Sequence, residues 1–182
     1  MQSAAFSEEK ATMKKFLALI MVLVAVCTMA VMTACSGASN SDEDDKTHVQ
    51  PLKANPQGAI EEIYAGCSIK NLGRATDTEA VEEIGLSLED VRTHYIMYSK
   101  GNYGVKDTYI VSPIPGHEAQ VKAQLEARQD AMIRQYEHYD IYESYSISLG
   151  AVIYEQGEYI IMLMHDDNDA VREIIDRYIP SK

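Results

Sequence analysis

From residue 55 onward the chain switches between an apolar spacing of three to four, which suits a helix, and one of two, which suits a strand. Asn55-Pro56 reads as an N-cap followed by proline at the first helical position. Ala59, Ile60, Ile63, Tyr64 and Cys67 supply the apolar stripe of the short helix it opens. Residues 68–86 carry no clear period, although a weak helical patch over 79–84 ends at Gly85. Ser87-Leu88-Glu89-Asp90 has the form of a capping box opening one turn of helix. Residues 92–99 and 108–113 are strand-like, joined by the turn-forming run Lys100-Gly101-Asn102-Tyr103-Gly104. The longest helix is predicted over 117–139, with Val121, Leu125, Met132, Tyr136 and Tyr139 on its apolar face. Two further strands, 147–154 and 158–165, flank Gln156-Gly157 and are apolar on nearly both faces, as central strands are. A final helix over 168–179 shows Ala170, Val171, Ile174, Ile175, Tyr178 and Ile179 before Pro180 stops it.

The order is helix, hairpin, long helix, hairpin, helix. It predicts an α+β domain over residues 55–182: a four-stranded, mainly antiparallel sheet from two hairpins, each followed by a helix, with the helices packed on one face.

The first third of the chain has a different pattern. Residues 16–32 form an apolar run of about 17 residues interrupted only by Thr28, preceded by Lys14-Lys15 and followed by Thr33-Ala34-Cys35. The run is at the lower limit for a spanning helix, and no basic stop-transfer cluster follows it. Met32-Thr33-Ala34-Cys35 resembles the lipobox of a bacterial lipoprotein signal, with Met32 in place of the usual leucine. That resemblance implies cleavage after residue 34 and a diacylglyceryl group on the sulfur of Cys35. Two acyl chains, at about 0.8 kcal/mol per buried methylene, hold a domain stably on a bilayer. Met13-Lys14-Lys15 looks like the natural start of such a signal, and residues 1–12, with Glu8 and Glu9, read as a start placed too early. Residues 35–54 are small, polar and acidic (Asp42-Glu43-Asp44-Asp45), the composition of a solvated tether.

Charge narrows the function classes. The formal net charge is −12, and a chain starting at Cys35 loses three lysines and two glutamates and becomes more acidic still. No basic footprint for nucleic acid is present. Cys27 leaves with the signal and Cys35 is the lipidation site, so Cys67 remains alone, as a buried small hydrophobe or as a reactive thiol. All twelve tyrosines and neither phenylalanine follow Cys35, and tryptophan is missing, so tyrosine must fill the aromatic core positions.

Candidate chemistry is sparse. Arg128 falls seven positions after Val121, between Leu125 and Met132, in the middle of an apolar stripe. It must pair with a carboxylate such as Glu62, Asp107 or Glu158, reach water along its stem, or hold an anionic ligand in its bidentate fork. Tyr136, Tyr139, Tyr142 and Tyr145 are spaced three apart, so all four cannot share one helical face. Tyr136 and Tyr139 fit the core stripe; Tyr142 and Tyr145 fall at the helix end and make a candidate stacking platform. His165-Asp166-Asp167-Asn168-Asp169 is rich in oxygen ligands, with Asp166, Asp167 and Asp169 as weak metal candidates. It lacks the glycine and distal glutamate of a calcium loop, and Asp167 or Asn168 as N-cap of the last helix accounts for it. No nucleophile elbow, zinc-binding His-Glu-x-x-His, phosphate loop or dinucleotide fingerprint occurs, and no cofactor is implied.

A tyrosine-containing strand, the run Val121-Lys122-Ala123-Gln124-Leu125-Glu126-Ala127-Arg128, the aromatic helix end near Tyr136 and Tyr139, and the hairpin Gly157-Glu158-Tyr159-Ile160-Ile161 together resemble a known family. It is that of the bacterial lipoproteins of domain of unknown function 4358, typical of Gram-positive species. The resemblance spans residues 59–178, and Asp140-Ile141-Tyr142 stands where that family has a proline-containing stretch. It implies a lipid-anchored domain on the outer face of the cell membrane and supplies no activity. The expectation is a non-enzymatic module that binds a small anionic ligand, a peptide or an envelope protein. The alternative is an extracytoplasmic hydrolase using Asp166, Asp167 and Glu158, or a metal.

Overall fold

Proline at the first position and asparagine before it start helix α1 (Pro56–Ile63) in the computed structural model, which describes residues 53–67 and 69–181. The predicted signal segment 1–34, Cys35 and the tether as far as residue 52 lie outside the described residues. The Asn55 side-chain oxygen accepts from the Gly58 amide at 3.0 Å, satisfying one of the orphan donors of the first turn. Ala59 and Ile60 are buried, but the helix ends at Ile63. Cys67, expected on its stripe, follows in a turn as a half-buried free thiol.

Five strands form one antiparallel sheet: β1 (Leu72–Arg74), β2 (Val91–Ser99), β3 (Asp107–Pro113), β4 (Val152–Gln156) and β5 (Tyr159–Met164), in the order β1-β2-β3-β5-β4. The expected two hairpins are present, β2 with β3 and β4 with β5, and β3 pairs with β5 between them. The four-stranded expectation is corrected to five. The added strand, β1, is three residues long and pairs Leu72 with Ser99 at the sheet edge, too short to show a period of two. It is followed by α2 (Asp77–Glu79), which widens into one π turn, Ala80–Ile84, before Gly85 ends it at a φ of 85°.

The remaining helices are α3 (Glu118–Tyr136), α4 (Ser144–Leu149) and α5 (Asn168–Tyr178). Residues 147–149, predicted as strand, belong to α4, where the Ser148 hydroxyl donates to the Ser144 carbonyl at 2.7 Å. An apolar run this short carries no decisive period. The capping box is at Thr76 and Glu79, whose backbone amides each donate to the other's side chain at 2.9 and 3.3 Å. Ser87-Leu88-Glu89-Asp90 instead forms a turn tied to α3, with the Asp90 carboxylate 2.7 Å from His117 Nδ1 and accepting from Gln124 Nε2 at 2.6 Å.

The helices cover both faces of the sheet, which corrects the one-face expectation. Val121, Leu125, Met132 and Tyr136 of α3 share one core with Ile96, Tyr98, Tyr109, Val111, Ile160 and Met162. Ala59 and Ile60 of α1 and Val171 and Ile175 of α5 share the other with Ile110, Tyr159, Ile161 and Leu163. Every residue of β3 and of β5 is buried. A single helical layer would leave Ile110, Ile161 and Leu163 in water, at a cost of about 1.5–3 kcal/mol each. Tyr139, expected on the core stripe, is 72% exposed, because α3 stops at Tyr136 and its face no longer continues. Among the described residues, no helix is long and apolar enough to cross a membrane.

On the second face α1 and α5 touch closely. The Asn55 amide donates to the Tyr178 carbonyl at 2.8 Å, and the Tyr178 hydroxyl donates to Glu62 Oε2 at 2.7 Å. A Cβ on Gly58 would lie 2.7 Å from the Tyr178 ring and 2.4 Å from Asn55 Nδ2. Alanine in a helix interior is normally worth up to about 1 kcal/mol over glycine. Here the collision dominates, and Gly58→Ala is expected to destabilise the full chain, solubilised in detergent, by about 1–3 kcal/mol. Denaturant titration followed by circular dichroism checks this; a gain in stability contradicts the packing described.

Candidate functional site

A cleft of about 610 Å³ opens where β2 ends, β3 begins and β5 ends. Its charged side chains are Lys70, Lys106, Glu143 and Asp166, its aromatic ones Tyr103 and Tyr142, and Ile69, Val105 and Ile147 supply apolar wall. The volume lies within the ~300–1,000 Å³ range of small-molecule pockets. Lys106 Nζ is 3.6 Å from Asp166 Oδ2, and Lys70 Nζ sits 4.6 Å from the centroid of the Tyr103 ring, a cation–π distance.

One wall comes from a turn with unusual backbone. Tyr142 and Glu143 both occupy the left-handed region, at φ of 51° and 59°, which L-residues adopt at a cost of roughly 1–3 kcal/mol each. Asp140 Oδ1 holds the turn by accepting from the Tyr145 amide at 2.8 Å, and the Ser144 hydroxyl donates to the Ile141 carbonyl. The result is a tyrosine 80% exposed on the cleft. Opposite it, Gly104 has a φ of 106°, a backbone conformation that favours glycine, and a Cβ there would make ordinary contact with Tyr142 Cδ2 at 3.4 Å.

Behind Ser99 and Lys106, which line the cleft, lies a buried polar network on the α3 side. Asp107 is 0% exposed. Its Oδ1 accepts from the amides of Ser99 (2.8 Å) and Lys106 (3.2 Å), and its Oδ2 from the Tyr109 hydroxyl at 2.9 Å. Arg128 Nε donates to that same hydroxyl at 3.2 Å, and Arg128 Nη1 to the Glu83 carbonyl at 3.0 Å. Burial pushes the Asp107 carboxyl up, opposed by the Ser99 amide and the Arg128 charge. Ser99 lines the cleft, and its buried Oγ has no hydrogen-bond partner among the described residues.

On the α5 side, Thr108 Oγ1 lies 2.7 Å from His165 Nε2, and the Tyr64 hydroxyl reaches Thr108 Oγ1 (3.0 Å) and the Lys106 carbonyl (2.9 Å). Burial first, and then the Lys106 charge, lower the His165 pKa to about 4. The Lys106 backbone is thus gripped from both sides, by Asp107 through its amide and by Tyr64 through its carbonyl. This directs its side chain to the cleft.

The predicted site residues part company here. Tyr142 lines the cleft; Tyr145 is half-buried against the α3-side core. Arg128 is engaged below, by Tyr109 and Glu83, while Glu62 bonds Arg177 and Tyr178, and Glu158 pairs with Arg92 at 2.9 Å. Of the three carboxylates proposed for Arg128, only Asp107 is near, and Tyr109 stands between them. Asp167 caps α5 by accepting from the Ala170 amide at 2.9 Å. Glu158 and Asp166 flank opposite ends of β5, so Asp166, Asp167 and Glu158 do not converge. Among the described residues, no group of three or more His, Cys, Asp or Glu, Asp169 included, is gathered as a metal site. In the sequence Lys100-Gly101-Asn102-Tyr103-Gly104 reads only as a turn, and nothing there marks Lys70, Ser99, Tyr103 and Lys106 as lining a site.

The family described as Domain of unknown function (DUF4358) matches residues 67–165, just over half of the chain. The chain belongs to that family. The DUF4358 segment runs from the turn before β1 to the end of β5, so α1 and α5 lie outside it. Of the cleft residues, all but Asp166 fall within the DUF4358 segment. No curated protein and no solved structure matches the chain.

Two outcomes follow from the networks. His165 is buried with its folded pKa lowered from 6.5 to about 4. The unfolded chain therefore takes up a proton below pH 6.5 that the folded one refuses until about pH 4. Stability is full above 6.5 and falls by about 1.4 kcal/mol per pH unit through that window. In His165→Gln the slope between pH 6.5 and 5 should flatten in urea titrations; an unchanged slope contradicts the assignment. Arg128→Leu should cost roughly 3–5 kcal/mol, the loss on stripping a buried carboxylate of its counter-charge. Because Asp107 already has a raised pKa, its ionisation opposes folding as pH rises. The Arg128→Leu deficit should therefore grow with pH, and adding Asp107→Asn should recover part of it. A deficit independent of pH contradicts the coupling.

Proposed function

We propose that this DUF4358 protein is a lipid-anchored, extracytoplasmic surface domain and a non-enzymatic binding module that acts through the cleft of Lys70, Lys106, Tyr103 and Tyr142. The observation that carries the binding role is the cleft itself. Strained residues place an exposed tyrosine on it, a doubly held backbone delivers Lys106, and the Ser99 hydroxyl remains unpartnered. Exposed aromatic surface beside fixed charges is what a ligand site needs and what a folding core does not. The anchor rests on Lys14-Lys15, the apolar run and the lipobox-like Met32-Thr33-Ala34-Cys35.

Both parts have direct tests. In a Gram-positive host, wild type should incorporate radiolabelled palmitate and sediment with membranes, whereas Cys35→Ser should do neither. Palmitate labelling that survives in Cys35→Ser sinks the anchor. For the cleft, thermal unfolding of the detergent-solubilised full chain is followed with citrate, glucuronate, N-acetylglucosamine and trialanine. A ligand at ten times its Kd stabilises by about 1.4 kcal/mol. At least one probe should raise the wild-type Tm and fail to raise that of Tyr142→Ala. If none shifts it, or the shift survives Tyr142→Ala, the cleft is not the binding site.

A further inference from the structure

The charges of the cleft are of both signs, and this selects among ligands. Lys70 and Lys106 bring two cations and Glu143 and Asp166 two anions; Lys106 and Asp166 lie 3.6 Å apart and pair with each other, which leaves Lys70 and Glu143 to a ligand. They come from four separate segments, so the mixture is not one solvated run of alternating charge. The chain as a whole carries −12, and its field disfavours the approach of a simple anion. A ligand that is neutral overall but carries separated charges escapes that repulsion and can still meet Lys70 at one end and Glu143 at the other.

Resting on the cleft being the binding site, we infer that its ligand is a short peptide with free ends. The peptide carboxylate meets Lys70 and its ammonium group meets Glu143, while Lys106 and Asp166 pair with each other at 3.6 Å in the same cleft. The peptide body lies against Tyr103, Tyr142 and the apolar wall of Ile69, Val105 and Ile147. The cleft volume, about 610 Å³, suits a drug-sized ligand better than a single amino acid. The charged ends contribute through charge-assisted hydrogen bonds, so blocking either one removes a defined share of affinity. An anion alone would leave Glu143 facing its negative charge.

The test is calorimetric titration of the detergent-solubilised full chain with four probes: trialanine, N-acetyl-trialanine, trialanine amide, and the peptide blocked at both ends. Trialanine should bind at least tenfold more tightly than either singly blocked form, and the doubly blocked form more weakly still. Lys70→Gln should weaken trialanine but leave trialanine amide unchanged, and Glu143→Gln should weaken trialanine but leave N-acetyl-trialanine unchanged. Both positions are exposed, so neither variant endangers the fold. If one singly blocked peptide binds as tightly as trialanine, the two-ended recognition is wrong while the cleft remains a binding site. If no peptide binds at millimolar concentration, the inference is overturned. Citrate and glucuronate then separate the cases, since a Tyr142-dependent shift with either retains the cleft, and no shift with any probe removes it.

Discussion

Strands β3 and β5 are buried at every position, and the rest of the architecture accommodates that burial. A strand hidden on both faces needs a layer on each side, so α3 and α4 cover one face and α1 and α5 the other. It also carries its first residues inside before the chain has left the turn. In β3 those residues are Asp107, Thr108 and Tyr109, three polar side chains with 0% exposure. A buried carboxylate without partners costs several kcal/mol, so its donors must be built in. They are the Ser99 and Lys106 amides and the Tyr109 hydroxyl, with Arg128 behind the last.

The two sides of β3 solve the problem differently. On the α3 side a carboxyl group and a guanidinium are linked at one remove, through a tyrosine that donates to Asp107 and accepts from Arg128. On the α5 side the ionisable group is kept neutral, His165 lying against Thr108 and tilted on the Tyr64 ring, centroids 5.8 Å apart. Both networks meet at the backbone of Lys106. The residue that ends the β2–β3 turn is therefore fixed by the requirements of the interior, and its side chain inherits a defined direction at the surface. Core satisfaction and site geometry are in this way one arrangement.

The cleft gathers segments that are distant along the chain: residues 69–70 before β1, 99–106 around the β2–β3 turn, 142–147 after α3, and Asp166 beyond β5. The DUF4358 match covers all of these but the last. The helices outside the match, α1 and α5, bind each other through Asn55, Glu62, Arg177 and Tyr178 and close the second face. The family segment thus contains the sheet and all of the cleft but Asp166, and the flanking helices complete the burial of its back.

Features that depend on neighbours in the chain are legible in the residues alone. Asn55-Pro56 starts a helix because its capping chemistry is local. Val121, Leu125, Met132 and Tyr136 declare a buried face because a helix repeats every 3.6 residues. Gly157 marks the β4–β5 turn because its φ of 60° suits glycine. Tertiary structure decided what depends on residues far apart. β1 exists only because β2 offers it an edge, and three residues have too little pattern to announce it. The two helical layers follow from how β3 pairs with β5, which no spacing encodes. Arg128 was legible as an apolar-stripe arginine, but its destination on Tyr109 and Glu83 was not, since neither is near it in the chain. The cleft is the extreme case. Lysine, serine and tyrosine on turns look like ordinary surface until the sheet brings their segments together, because the charge and shape of a site belong to the assembled surface.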